Sequence, residues 1–104
     1  MIVEERIYRI RTGRMGTYLK LVREEGLAIQ QPILGRLIGY FTTEIGALSQ
    51  VTHIWAYEDL EDRRRRRQQL ADDPRWQAFL PKLSENIEQA ENKILLPTDF
   101  SPLR

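Results

Sequence analysis

The sequence predicts an α+β fold: a ferredoxin-like βαββαβ sandwich with an antiparallel sheet. Two observations carry that expectation. Segments with the two-residue alternation of strands and segments with a 3.6-residue apolar stripe succeed one another in that order. The two central β-rich runs are joined only by Glu44 to Ser49, a link with a glycine that suits an antiparallel hairpin and is too short for a parallel crossover. At 104 residues the chain is expected to be a single domain over 1–104, since this length holds one core.

Residues about 3–11 alternate and are rich in Ile and Tyr, which suits a first strand, and Thr12-Gly13-Arg14 turns the chain. Met15, Tyr18, Leu19, Val22, Gly26 and Ile29 then fall on one helical stripe that Pro32 is expected to end. Arg36 to Thr43 and Gln50 to Tyr57 form the hairpin. Asp59 is placed to cap a helix, with Asp62 three residues on imitating a capping box. Asp73 followed by Pro74 marks another helix start, because the first helical position needs no amide proton. The stripe Trp76, Phe79, Leu80, Leu83 and Ile87 belongs to that helix, and Pro81 is expected to kink or split it. Lys93 to Pro97 reads as a short last strand.

Composition removes several classes of chemistry. No cysteine means no disulfide, thiolate metal site or thiol nucleophile, and with one histidine no metal site is expected. The balance of 16 basic and 15 acidic residues gives no global attraction to nucleic acid or anionic lipid. No apolar stretch is long enough to span a bilayer, and the first residues lack a secretory pattern, so a cytoplasmic protein is expected. No Gly-rich phosphate loop, nucleophile elbow or paired-carboxylate helix occurs, and no cofactor is expected.

Sorting each strand by alternation gives two unlike faces. Val3, Ile7, Leu37, Phe41, Ile54 and Ala56 are aliphatic or apolar and are the natural seat for the helices. Arg6, Tyr8, Tyr40, His53, Trp55 and Tyr57 make the other face, aromatic and hydrogen-bonding. On this reading the aromatic face is uncovered, and a second copy closes over it as a dimeric α+β barrel.

The same residues carry a family resemblance. Glu4-x-Arg6-x-Tyr8 followed by Gly13, Gly35-x-x-x-Gly39-Tyr40-Phe41, Thr43-Glu44-Ile45-Gly46, His53-x-Trp55-x-Tyr57, Asp73-Pro74-x-Trp76-x-x-Phe79 and Ile94-Leu95-x-Pro97 together resemble NIPSNAP-family proteins over nearly the whole chain. The resemblance implies a homodimeric ferredoxin-like barrel, related in architecture to cofactor-independent monooxygenases, and no settled activity. Two functions follow as expectations: a domain that binds a small molecule or a protein partner through the barrel, or a cofactor-free monooxygenase or isomerase.

Six residues are the candidate ligand site: Arg6, Tyr8, Tyr40, His53, Trp55 and Tyr57. A small aromatic or anionic ligand is the expected occupant. His53, Arg6 and Tyr57 are the catalytic candidates. His53 has an ordinary pKa near neutrality and suits proton transfer, but an interior hydrogen-bonded histidine is the commoner outcome. Arg6 either pairs internally or grips a carboxylate or phosphate. In the enzyme reading Arg6 binds the anionic group, His53 or Tyr57 moves protons, and Trp55 stacks on the substrate. Arg63 to Arg67 follow Asp59, Glu61 and Asp62, so pairs at i,i+4 are expected and nucleic acid is not. Five consecutive arginines circle a helix, so at least one must turn toward the body of the protein.

Overall fold

In the computed structural model, which describes residues 1–104, the observed order is β1 (Ile2–Ile10), α1 (Met15–Leu21), a π-helical turn (Val22–Gly26), α2 (Leu27–Leu34), β2 (Arg36–Thr42), β3 (Gln50–Tyr57), α3 (Leu60–Ala71), α4 (Pro74–Ser84) and β4 (Ile87–Leu95). The strands form one antiparallel sheet in the order β2-β3-β1-β4, as the βαββαβ expectation requires. The helices lie on one side only, so the molecule is a slab about 20 Å thick: one sheet and one helix layer.

The helices cover the face opposite to the one expected. Ile2, Ile10, Val51, Trp55 and Tyr57 pack into one core with Tyr18, Leu34, Leu70, Trp76, Phe79 and Leu83 of the helices, while Phe41 is 55% exposed on the other side. The assignment of the aromatic face to a second copy is therefore corrected. Aromatic rings bury about 150–250 Å² each, so seating helices on them hides more area within one chain than seating them on Val and Ala would. Ile2, Ile10 and Val51 share that face and add to its apolar content. Leu37 was placed with Phe41; a bulge between Leu37 and Gly39 pairs it with Trp55 and turns it to the helix side.

Both internal prolines leave their helices whole. α2 runs through Pro32 to Leu34, ending at Gly35 (φ 91°), and α4 runs through Pro81 to Ser84. A proline loses one donor but keeps its acceptor, and the Pro81 carbonyl still takes the Glu85 amide. Each proline stands in the last turns, where burial of Leu34 and of Leu83 offsets the lost bond. Ile87 is not on α4; it opens β4, which is a nine-residue polar edge strand rather than the short apolar one expected.

Asp59 caps α3 by accepting the Asp62 amide at 2.7 Å, and Asp62 accepts the amide of Glu58, one residue outside the cap. Of the three i,i+4 pairs expected, only Asp62–Arg66 forms. Glu61 pairs with Arg64 and Asp62 also with Arg65, both at i,i+3. Arg63 leaves Asp59 because it reaches across to the sheet.

Candidate functional site

Between the sheet and the helices lies a cavity of about 220 Å³. Arg6 and Tyr8 come to it from β1, Tyr40 from β2, and His53 and Trp55 from β3. Alternation puts all of them on the helix side, and neighbouring register sets Arg6 beside His53 and His53 beside Tyr40. Five of the six candidate residues are thus brought together, inside one protomer. Tyr57 is not among them. It stands at the end of β3 beside a separate cleft with Met1, Arg36 and Asp62, and its buried hydroxyl has no hydrogen-bond partner. Burial pushes the Tyr57 pKa up, opposed by the Arg67 guanidinium.

The helices supply the opposite wall: Tyr18, Gln30, Leu34, Arg67, Trp76, Leu80 and Leu83. Sequence reasoning missed these as site residues. Tyr18 and Trp76 carried a usable signal, since each is an aromatic with a polar atom on a buried stripe. The requirement that one arginine of the run turn inward is met by three: Arg63 binds Glu4, Arg66 donates to the Ile33 carbonyl at the end of α2, and Arg67 lines the cavity.

The polar groups around the cavity form two sets. Glu4 is fully buried, and its carboxylate accepts four bonds: two from Arg63 (3.1 and 2.8 Å), one from Arg6 (3.0 Å) and one from Asn92 (2.7 Å). Burial alone would raise its pKa, but the hydrogen bonds from Arg63 and Asn92 and the charge of Arg6 hold it down to about 2. Arg6 also donates from Nε to the Tyr8 hydroxyl at 2.9 Å and lies over the Tyr8 ring.

The second set centres on His53, which is 2% exposed. Tyr40 stacks on its imidazole at 4.5 Å, Tyr8 meets it edge-on at 4.9 Å, and the Trp55 indole N–H donates to Nδ1 at 2.9 Å. Burial, helped by the charges of Arg6 and Arg67, lowers the His53 pKa to about 3, so the ring is neutral at pH 7. Nε2 is buried without a partner. The Tyr18 and Tyr40 hydroxyls bond to each other at 2.5 Å, and burial pushes both pKa values up, so both remain protonated. The cavity therefore offers apolar walls, neutral hydroxyls, an imidazole with a free edge, and guanidinium groups.

The sequence model of the NIPSNAP family matches residues 3–102. The chain is 30% identical over 94 residues to Protein NipSnap homolog of Dictyostelium discoideum, covering 90% of this chain and 41% of that protein. It spans less than half the length of the curated relatives it matches. Among solved structures, a NIPSNAP family protein of Agrobacterium tumefaciens superposes with a TM-score of 0.98 at 72% identity, covering 99% of this chain and 98% of the other. A putative antibiotic biosynthesis monooxygenase of Nitrosomonas europaea shares the fold at a TM-score of 0.68 and 8% identity, over 93% and 98% of the two chains. No helix is long and apolar enough to cross a membrane. A family match over residues 3–102, together with a solved NIPSNAP family structure at 72% identity, places nearly the whole chain in one family: the chain belongs to the NIPSNAP family.

Proposed function

We propose that this NIPSNAP domain is a homodimer that binds a small molecule in the cavity between its sheet and its helices, with the second copy covering the open sheet face. The carrying observation is the buried, unpartnered Nε2 of His53, a residue in the wall of a partly apolar cavity. A buried polar atom without a partner costs about 1–3 kcal/mol, which an occupant with an acceptor removes. One-ring compounds that fit should raise the melting temperature of the wild-type chain. At a hundredfold excess over Kd a ligand adds about 2.7 kcal/mol, or about 10–20 °C for a domain of this size. The half-exposed Leu80 stands at the cavity wall, so Leu80→Trp should fill it and abolish the shift. A panel that shifts both proteins equally would count against the cavity.

The second copy follows from the open face. Ile7, Ile54 and Phe41 make its apolar centre, and the same face carries Glu5 and Glu91 as well as Arg9 and Lys93. Charges of both signs around an apolar centre suit a two-fold contact, in which each patch meets its own copy. Light scattering after size exclusion should give twice the chain mass at micromolar concentration, and Ile54→Glu should give a folded monomer. Trp55→Glu should instead unfold the protomer, because Trp55 is fully buried beneath the helices. A wild-type monomer would end the dimer reading.

The oxygenase or isomerase reading draws on the fold shared with the Nitrosomonas protein. The cavity chemistry favours binding over it. His53 has Nδ1 occupied by an indole N–H and Tyr57 stands outside, which leaves the catalytic candidates without a free proton acceptor in the lining.

A further inference from the structure

We propose that the cavity selects a small ring-bearing carboxylate, with Arg67 and the Nε2–H edge of His53 as the residues that recognise its charged group. The inference rests on the cavity being a binding site and adds the class of ligand.

The tautomer of His53 follows from its neighbour. An indole nitrogen can only donate, so the Trp55 N–H at 2.9 Å from Nδ1 requires a lone pair there. In a neutral ring the proton then sits on Nε2, and the stacked Tyr40 and edge-on Tyr8 fix the plane in which it points. Nε2–H is a donor, fully buried, and unmatched by any acceptor of the protein. It asks for an oxygen, not for a proton.

Charge gives the second, independent indication. Arg64, Arg65 and Arg66 pair with acids on their own helix, and Arg63 pairs with Glu4. Arg67 alone in the run has no carboxylate partner, and it is the one that lines the cavity. Two guanidinium groups, of Arg6 and Arg67, line the cavity and no carboxylate does; the carboxylate nearest to them in the network is Glu4, the partner of Arg6. That carboxylate already accepts four bonds, so nothing is left to hold a cationic ligand. An anion supplies what Nε2–H and Arg67 lack, and an arginine binds a carboxylate with two parallel N–H donors.

The walls set the rest of the ligand. Leu34, Trp76 and Leu83 are apolar, and an apolar void of about 150 Å³ accepts benzene. At about 220 Å³ the cavity has room for one ring and a carboxylate.

The test uses the full chain with benzoate, benzyl alcohol and acetate as probes. Both tryptophans of the chain line the cavity, so their fluorescence reports occupancy, and the single histidine makes ¹⁵N-histidine spectra unambiguous. Benzoate should bind at least about tenfold tighter than benzyl alcohol or acetate, the worth of one charge-assisted contact. It should move the Nε2 resonance more than Nδ1. Arg67→Met should weaken benzoate about tenfold and leave benzyl alcohol within about twofold, while Arg67→Lys restores part of the loss. Equal binding of benzoate and benzyl alcohol, or an equal effect of Arg67→Met on both, would overturn carboxylate selection and leave the cavity a binding site. If no probe perturbs either tryptophan fluorescence or His53, the binding reading falls with it.

Discussion

Glu4→Ala should lower the stability of this domain by about 3–5 kcal/mol, a large part of the 5–15 kcal/mol typical of a small protein. Glu4 is completely shielded from water, and its carboxylate is the shared acceptor for Arg6, Arg63 and Asn92. Removing it strands two guanidinium groups that are themselves mostly covered, with 19% and 25% of their side chains exposed. The penalty comes from those uncompensated charges more than from any intrinsic strength of the pair. Denaturant unfolding should therefore show non-additivity. Glu4→Leu combined with Arg63→Met should be far less damaging than the two single losses summed, because the second change removes a charge the first left unpaired. A cost for Glu4→Ala below about 1 kcal/mol would mean that water reaches the network. The prediction also touches the cavity. Arg63 ties α3 to β1, and α3 carries Arg67; Arg6, held by Glu4, in turn holds the Tyr8 hydroxyl. Loosening Glu4 should weaken ligand binding even where the fold survives.

That network shows where the sequence was legible. Short-range signals were reliable because their physics is local: Asp73 before Pro74 marked a helix start, and the Glu44–Ser49 link joined antiparallel strands. Alternation also grouped Arg6, Tyr8, Tyr40, His53 and Trp55 on one face, and they do share a cavity. The side that the helices would choose was not local information. It depended on whether the buried Glu4 could be satisfied inside one protomer, and the partners that satisfy it lie far along the chain, at Arg63 and Asn92. The polar residues looked like a reason for the face to stay open. With partners from α3 and β4 they became part of a closed interior. The bulge that turns Leu37 and the polar sequence of β4 were hidden for a related reason, since a register shift and an edge strand are decided by the neighbouring strand.

Acidification should destabilise the wild-type chain from about pH 6.5 downward, and His53→Gln should remove the upper part of that loss. The sign follows from linkage. The unfolded chain binds a proton at His53 near pH 6.5, whereas in the folded chain burial and the charges of Arg6 and Arg67 delay protonation to about pH 3. Glu4 opposes them but is itself neutralised by Arg6 and Arg63. Between those values the unfolded state holds the extra proton, so stability falls with falling pH by up to about 1.4 kcal/mol per unit. Glu4 adds a second, lower window: its folded pKa of about 2 lies below the ordinary 4.5, so its contribution is complete above pH 4.5 and is lost as pH falls toward 2. Surface carboxylates titrate in that lower window as well, which makes the interval from pH 6.5 to 4.5 the diagnostic one. There a glutamine at position 53 can still accept the Trp55 N–H but cannot take a proton, so the melting temperature of His53→Gln should stay level while that of wild type declines. Direct observation closes the argument, because the chain has one histidine. Its ¹⁵N shifts should report a neutral Nε2–H ring down to pH 4.5, and a midpoint near 6.5 would show that His53 is open to solvent and free to exchange protons, returning it to the list of candidate acids and bases.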